Sequence, residues 1–270
     1  MRTNTGLVSV TFRRLSPDDI IARAAAAGLC CIEWGSDVHV PAGNSNSNSG
    51  LENARRVGEA TRAAGLSVSS YGTYYRLGQG QCFREYLDTA QALGAPLLRL
   101  WAGTRGSAAT DPDTRRRWVE EARRIAGEAA DRGLTVAFEY HPGTLTDSAA
   151  SALRLMEEVD HPAARLYWQP DFSKPEEELL AGLDTVLPFV EMVHVFTWRP
   201  DGTRLPLSCG QDFWMRALGR FPNLEKKKLL LEFLPGDDPA LLPREAETLR
   251  RYRDTAGNFL KEVSRTLQEL

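Results

Sequence analysis

The stretch ADRGLTVAFEYHPG, residues 130–143, contains one whole unit of the architecture. A helix-like run ends at Gly133, a residue able to take the left-handed conformation that closes a last helical turn. A nearly continuous apolar run follows, as suits a parallel strand buried on both faces. The same order recurs in AAAAGLCCIEW (24–34), RAAGLSVSSY (62–71) and QALGAPLLRLW (91–101), with Gly28, Gly65 and Gly94 in the equivalent place. These glycines stand 29 to 39 residues apart, about the length of a β–α–β unit. Four further apolar runs, 6–12, 164–169, 191–197 and 228–234, bring the strands to eight, each with a helical segment after it. Ser16 and Pro17 supply the cap and first position of the first helix. Residues 114–131 place Trp118, Ala122, Ile125 and Ala129 on one face, and 244–269 align Leu249, Tyr252, Ala256, Phe259, Val263 and Leu267. The expected fold is α/β, a single (β/α)8 TIM barrel forming one domain over residues 1–270. A doubly wound open sheet would carry a glycine-rich phosphate turn after its first strand, and TFRRLSPDD has none.

Composition narrows the function classes. The 270 residues are 42% hydrophobic and 26% charged, with a net charge of -3. Binding to a nucleic-acid duplex calls for a basic stripe, and the only lysine run is 226–228. No apolar run reaches the roughly 18–20 residues that span a bilayer, and the first residues lack a signal-peptide core, so no membrane partner and a cytoplasmic location are expected. Cys30, Cys31, Cys82 and Cys209 show no zinc spacing and read as reduced and mostly buried. The tract GNSNSNSG (43–50) falls between the second strand and its helix, as a solvated loop or a lid.

Chemistry in such barrels sits where strands end and the following loops begin. The residues there are Glu33 and His39 (second unit), Glu139 and His141 (fifth), Gln169 and Asp171 (sixth), His194 (seventh) and Glu232 (eighth). Glu139 in VAFEY and Glu232 in LLLEF are carboxylates embedded in apolar strand, costly unless paired or bound to a metal. With His194 and an amide they form an oxygen-rich set with one imidazole, suited to Mn²⁺ or Mg²⁺ first, and to Zn²⁺ or Co²⁺. Singly, each has a plainer reading: a satisfied core histidine, or a glutamate paired with Arg99. His141 shares the face of Glu139 and is read as a substrate contact or a partner of the site, as are His39, Glu33, Trp198 and Arg199. Trp34, Trp101, Trp168, Trp198 and Trp214 either stack on a sugar or fill the core, and Arg13, Arg99 and Arg199 either bind an anion or pair with Glu33 and Glu139. His161 precedes the sixth strand, at the opposite face, where a structural role is expected.

The segments AAGLCCIEWGSDVHVP, LRLWAG, VAFEYHPGTLTDS, RLYWQPDFS, VHVFTW and LLLEF resemble the xylose isomerase-like barrel proteins, the sugar isomerase/epimerase group sometimes placed with endonuclease IV. The resemblance covers essentially the whole chain. It implies a Glu, an Asp, a His and a Glu around one divalent metal, falling on Glu139, His194 and Glu232, with Gln169 at the position of the Asp. It also implies that Glu139 and Glu232 are catalytic, handling protons on either side of the substrate. The chain departs from the pattern at Gln169, with Asp171 two residues on, and at Phe172, where a His often stands. Because Pro170 cannot donate a ladder hydrogen bond, Gln169 rather than Asp171 is expected to face the metal.

The leading expectation is therefore a divalent-metal-dependent isomerase or epimerase of a small sugar or polyol, moving a proton beside a metal-polarised carbonyl. A dehydratase or lyase on an inosose-like substrate, and a non-catalytic sugar binder, are the alternatives. Endonuclease chemistry is disfavoured by four histidines and the negative charge. Schiff-base chemistry is disfavoured because neither Lys174 nor Lys228 occupies an apolar strand end.

Overall fold

The computed structural model describes residues 4–43 and 48–268. Eight parallel strands close into a barrel: β1 (Thr5–Val8), β2 (Cys31–Gly35), β3 (Ser67–Arg76), β4 (Leu97–Trp101), β5 (Thr135–Glu139), β6 (Ala164–Trp168), β7 (Val190–Val195) and, after a small hairpin of β8 (Thr197–Trp198) and β9 (Arg204–Leu205), β10 (Lys228–Leu231). The ring closes through β1, which pairs with both β2 and β10. Helices α1 (Pro17–Ala26), α2 (Asn48–Ala63), α3 (Phe83–Leu93), α4 (Pro112–Ala130), α5 (Ala149–Val159), α6 (Glu176–Val186), α7 (Gln211–Leu218) and α8 (Leu242–Gln268) form the outer ring. The chain is thus a (β/α)8 TIM barrel. The repeat glycines Gly28, Gly65, Gly94 and Gly133 have φ of +70°, +77°, +78° and +70°, the left-handed geometry their position requires. No helix among the described residues is long and apolar enough to cross a membrane.

Several boundaries differ from expectation. β1 stops at Val8, because Ser9 turns inward: its hydroxyl accepts from the Gly35 amide and contacts His39, and Ser9–Phe12 winds into a 3-10 turn. β7 ends at Val195, and the next residues pair with Arg204–Leu205 instead of continuing the barrel. β10 ends at Leu231, and Phe233 adopts a φ of +53° that no strand accommodates. β6 ends at Trp168, while β3 runs on to Arg76 through a register shift against β4. The fourth helix begins at Pro112, capped by Asp111. Cys82 and Cys209 are exposed, so only Cys31 is fully buried among the four free thiols. The expected stripe of the last helix holds for Leu249, Tyr252 and Ala256, which are buried. Phe259, Val263 and Leu267, and most of the 43–50 tract, lie outside the described side chains.

The interior is layered, and the layering positions the site. Successive inward side chains lie two residues apart along each strand. The lower layer is apolar and includes Cys31, Leu97, Ala137, Tyr167, Met192 and Leu230. Two residues further along stand Glu33, Arg99, Glu139, Gln169, His194 and Glu232. The alternate residues of the same strands, such as Trp34, Leu98, Phe138, Trp168 and Val193, face outward into the core beneath the helices.

Candidate functional site

The polar side chains of this upper layer are carried by the barrel strands, some within them and some at their ends. Glu139 is the last residue of β5. Glu232 follows β10, and its backbone N–H still donates to Val195 O at 3.1 Å, so the ladder holds it. Gln169 follows β6 immediately, and His194 lies within β7. Above them opens a cavity of about 530 Å³, within the usual range of small-molecule sites. Glu139, Gln169 and Glu232 form part of its floor, and Tyr74, Trp101, Phe172, Phe196, Trp198 and Phe233 its walls.

Three oxygens converge on one ring nitrogen. His194 Nδ1 lies 3.2 Å from Gln169 Oε1, 3.4 Å from Glu232 Oε2 and 3.8 Å from Glu139 Oε1. Behind the ring, His194 Nε2 lies 3.3 Å from Glu33 Oε2, and the other Glu33 oxygen accepts from Arg99 Nε at 2.7 Å. The Arg99 guanidinium also pairs with Glu139 Oε2. Burial works against every charge here. It would raise Glu33, but Arg99 and His194 outweigh it and hold that carboxyl well below its ordinary value. It would lower His194, but the carboxylates of Glu232 and Glu33 outweigh it and raise the imidazole. For Glu232 burial prevails over the attraction of His194, and the carboxyl is pushed up to about 7.

The donors fit a divalent cation. Buried Glu232 Oε2 has no hydrogen-bond partner. Three carboxylates against one guanidinium leave a charge of -2 when His194 is neutral, which one divalent ion balances. Donor separations of 3.2–3.8 Å suit neighbours around an ion that each oxygen holds at about 2.0–2.6 Å. Among the described residues, however, no three His, Cys, Asp or Glu side chains stand in a ready metal-holding arrangement. Arg99 draws Glu139 aside, and the fourth donor is an amide.

The other expected site residues divide. His141 lines the cavity, stacked on Trp101 with centroids 4.3 Å apart. Its Nδ1 lies 2.7 Å from Pro142 O, an acceptor only, so Nδ1 carries a hydrogen and, in the neutral ring, Nε2 is the acceptor. Trp198 and Arg199 line the cavity too, brought there by the hairpin that replaces the expected end of β7. Two readings are corrected. His39 is buried outside the cavity lining, its ring nitrogens 3.1 Å from Ser9 Oγ and 3.2 Å from Leu15 O, contacts that close the first β–α connection. Glu33 is fully buried beneath the floor, out of a substrate's reach. Asp171 lines the mouth, where its carboxylate accepts from the Ser173 amide and hydroxyl, while Gln169 is the one beside His194. Trp34, Trp168 and Trp214 are core.

Sequence reasoning missed Tyr74 and Phe233, wall residues with φ of +54° and +53°. A non-glycine residue held there is strained by about 1–3 kcal/mol, a cost found mostly at functional sites. Nothing in SSYGTYYRL signals this for Tyr74, whose hydroxyl accepts from Arg13 Nη2 at 3.2 Å.

Comparison with known proteins agrees with the architecture. Residues 21–171 match the family described as xylose isomerase-like TIM barrel. A 3-dehydroshikimate dehydratase of Bacillus anthracis is 39% identical over 69 residues, 26% of this chain, and the match spans about a quarter (25%) of that relative's length. Among solved structures, the probable 3-DHS dehydratase AsbF from Bacillus anthracis aligns with a TM-score of 0.75 at 21% identity, covering 91% of this chain and 98% of the other. An L-ribulose 3-epimerase aligns at 0.70 and 15% identity over 98% of both chains. A xylose isomerase-like TIM barrel protein from Mycobacterium smegmatis, solved in complex with magnesium, aligns at 0.62 and 17% identity over 91% of both. These structural likenesses establish the fold; the fold neighbours include an epimerase, a probable dehydratase and a magnesium complex. By the match over more than half its length, the chain belongs to the xylose isomerase-like TIM barrel family.

Proposed function

We propose that this protein is a divalent-metal-dependent enzyme that moves a proton beside the carbonyl of a small polyhydroxylated substrate, as an isomerase or epimerase does. The observation that carries the reading is the convergence of Gln169, Glu139 and Glu232 oxygens on His194 Nδ1 at the floor of an aromatic-walled cavity, with no hydrogen bond made by Glu232 Oε2. Glu139, Gln169, His194 and Glu232 would hold the ion, with Mn²⁺ or Mg²⁺ favoured by the oxygens and Zn²⁺ or Co²⁺ compatible with the imidazole. Bound there, the ion supplies Lewis acidity toward a substrate carbonyl oxygen. The aromatic walls bury the apolar faces of the substrate and exclude water. His141 Nε2 offers a lone pair to a C–H proton from the β5 side, and the Glu232 carboxyl stands on the β10 side to hold or return one. Glu139 is committed to Arg99 through one oxygen, so its part is ligation first and proton transfer second.

One observation favours a second outcome of the same proton abstraction, loss of a β-hydroxyl as water: the relative matched in sequence is a 3-dehydroshikimate dehydratase. The test is a panel of ketoses, inososes and 3-dehydroshikimate in D₂O with Mn²⁺ or EDTA. Metal-dependent deuterium incorporation with retention of the carbon skeleton marks an isomerase or epimerase. Metal-dependent growth of conjugated ultraviolet absorbance marks a dehydratase. Exchange and turnover that persist unchanged in EDTA refute the proposal.

A further inference from the structure

We propose that Tyr74 is a specificity-determining residue: its hydroxyl, aimed by Arg13, donates a hydrogen bond to a substrate oxygen on the β3 side of the cavity. The inference deepens the proposed function, naming a residue that selects its substrate.

Tyr74 stands in backbone that suits a glycine. In the β3–β4 pairing Gly72 is matched with Arg99 and Arg76 with Trp101, so four steps along β3 span two along β4. The surplus is taken up around Tyr74, whose φ is +54°. Glycine takes such a φ freely, whereas a tyrosine there costs stability. The neighbouring residues hold it in place. The buried Thr73 hydroxyl donates to Arg99 O at 2.7 Å and accepts from the Tyr75 amide at 3.1 Å. The Arg76 amide donates to Gln81 Oε1 at 2.8 Å. One inward position below, Gly72 leaves room for the Arg99 guanidinium, since an added Cβ would lie 2.6 Å from Nη2. The Tyr74 ring packs over that cation, 5.2 Å from ring centroid to Cζ, and against Trp101 at 6.2 Å. These contacts use the ring and leave the hydroxyl free of them.

The direction of the hydroxyl follows from Arg13. Its Nε donates to Asp37 Oδ2 at 2.8 Å, its Nη1 to Val10 O at 3.3 Å and its Nη2 to Tyr74 Oη at 3.2 Å. All three nitrogens are anchored, and a guanidinium accepts no hydrogen bond. The phenolic hydrogen therefore points away from Arg13. Burial raises the phenol above its ordinary value, so the hydrogen stays on. No group among the described residues accepts it. Tyr74 is only half-buried and lines the cavity, so a ligand can reach it. An O–H whose oxygen already accepts from a cation is a strengthened donor, suited to a hydroxyl or carboxylate oxygen.

The experiment compares wild type with Tyr74→Phe, which keeps the ring, its packing and the backbone. Titration calorimetry with ketoses, inososes and 3-dehydroshikimate, in the presence of Mn²⁺, reads binding without requiring turnover. A compound that the wild type binds should bind the variant about 5–100-fold more weakly, with an unchanged melting temperature. Loss of affinity for 3-dehydroshikimate alone assigns the contact to a carboxylate, and loss for the ketoses assigns it to a hydroxyl. For a compound that is turned over, KM should rise by more than kcat falls. Equal affinity in the two proteins overturns the inference, as does a wild type that binds none of these compounds. Binding that needs the hydroxyl but leads to no turnover or deuterium exchange supports the role of Tyr74 and refutes the proposed function instead.

Discussion

Replacing Arg99 with methionine removes the one guanidinium that serves two buried carboxylates. The side chains of Arg99, Glu33 and Glu139 are 2%, 0% and 5% exposed. Breaking a buried pair by deleting one partner costs about 3–5 kcal/mol, since the remaining charge is stranded in a poor solvent. Here two carboxylates lose the same partner, so the upper end of that range is expected at pH 8 in EDTA. At roughly 2–4 °C per kcal/mol for a domain approaching this size, the midpoint should fall by about 10–20 °C. The sign of the pH dependence is fixed by Glu33. In the wild type its folded pKa lies below the ordinary 4.5, so it stabilises the fold above that pH, and the contribution is lost as pH falls through the folded value. Without Arg99, burial dominates and the folded pKa rises above the unfolded one, so the variant's deficit should shrink as pH falls toward 5. Thermal and urea unfolding followed by circular dichroism at pH 8 and pH 5, with EDTA and with Mn²⁺, measure all of this. Added Mn²⁺ should recover part of the loss. A deficit under about 1 kcal/mol at pH 8, or one that is equal at both pH values, refutes the reasoning.

Glu232→Gln should abolish metal-dependent turnover yet leave the metal-free midpoint unchanged or higher, because it removes a buried carboxyl with an unpartnered oxygen; full activity in this variant would exclude Glu232 from the chemistry. Divalent-metal affinity should rise with pH through about 7 and level off only above it, since the Glu232 carboxyl, pushed up to about 7, and the raised imidazole of His194 must shed protons first; a dissociation constant that is flat from pH 6 to 8 contradicts this. The same raised carboxyl favours the metal-free fold in acid, a contribution present below 4.5 and lost as pH climbs toward about 7. His141→Ala should lower turnover on the order of 10²–10⁴-fold. His161→Ala, whose Nδ1 accepts from the Ala163 amide at the opposite end of β6, should leave it unchanged, and equal effects would place the chemistry elsewhere.

The architecture was legible because it repeats. Helix, glycine and apolar strand recur at Gly28, Gly65, Gly94 and Gly133, and each repeat is a local rule written in consecutive residues. Glu139, His194 and Glu232 were legible for a related reason: a charged or imidazole side chain inside an apolar strand contradicts its surroundings, and period two places each one step above an apolar interior residue. The same rule raises Arg99 above Leu97 and Glu33 above Cys31, but it gives height in the barrel and not partners.

Partners depend on the ring closing. Glu33 and His194 are 161 residues apart, and only the ordering of β2 and β7 around one small interior brings Oε2 to Nε2. That proximity turned Glu33 from an expected substrate contact into a buried prop for a histidine and an arginine. His39 was decided in the same way, by a Ser9 hydroxyl and a Leu15 carbonyl from the first β–α connection, which no pattern around residue 39 announces. The cavity walls are also tertiary: Trp198 and Arg199 arrive on a hairpin, and Tyr74 and Phe233 through backbone turned to positive φ. Sequence periodicity determines which way a side chain faces, because facing is set by the strand's own pleat. What it meets there is set by strands far away in the chain, and only the closed barrel decides that.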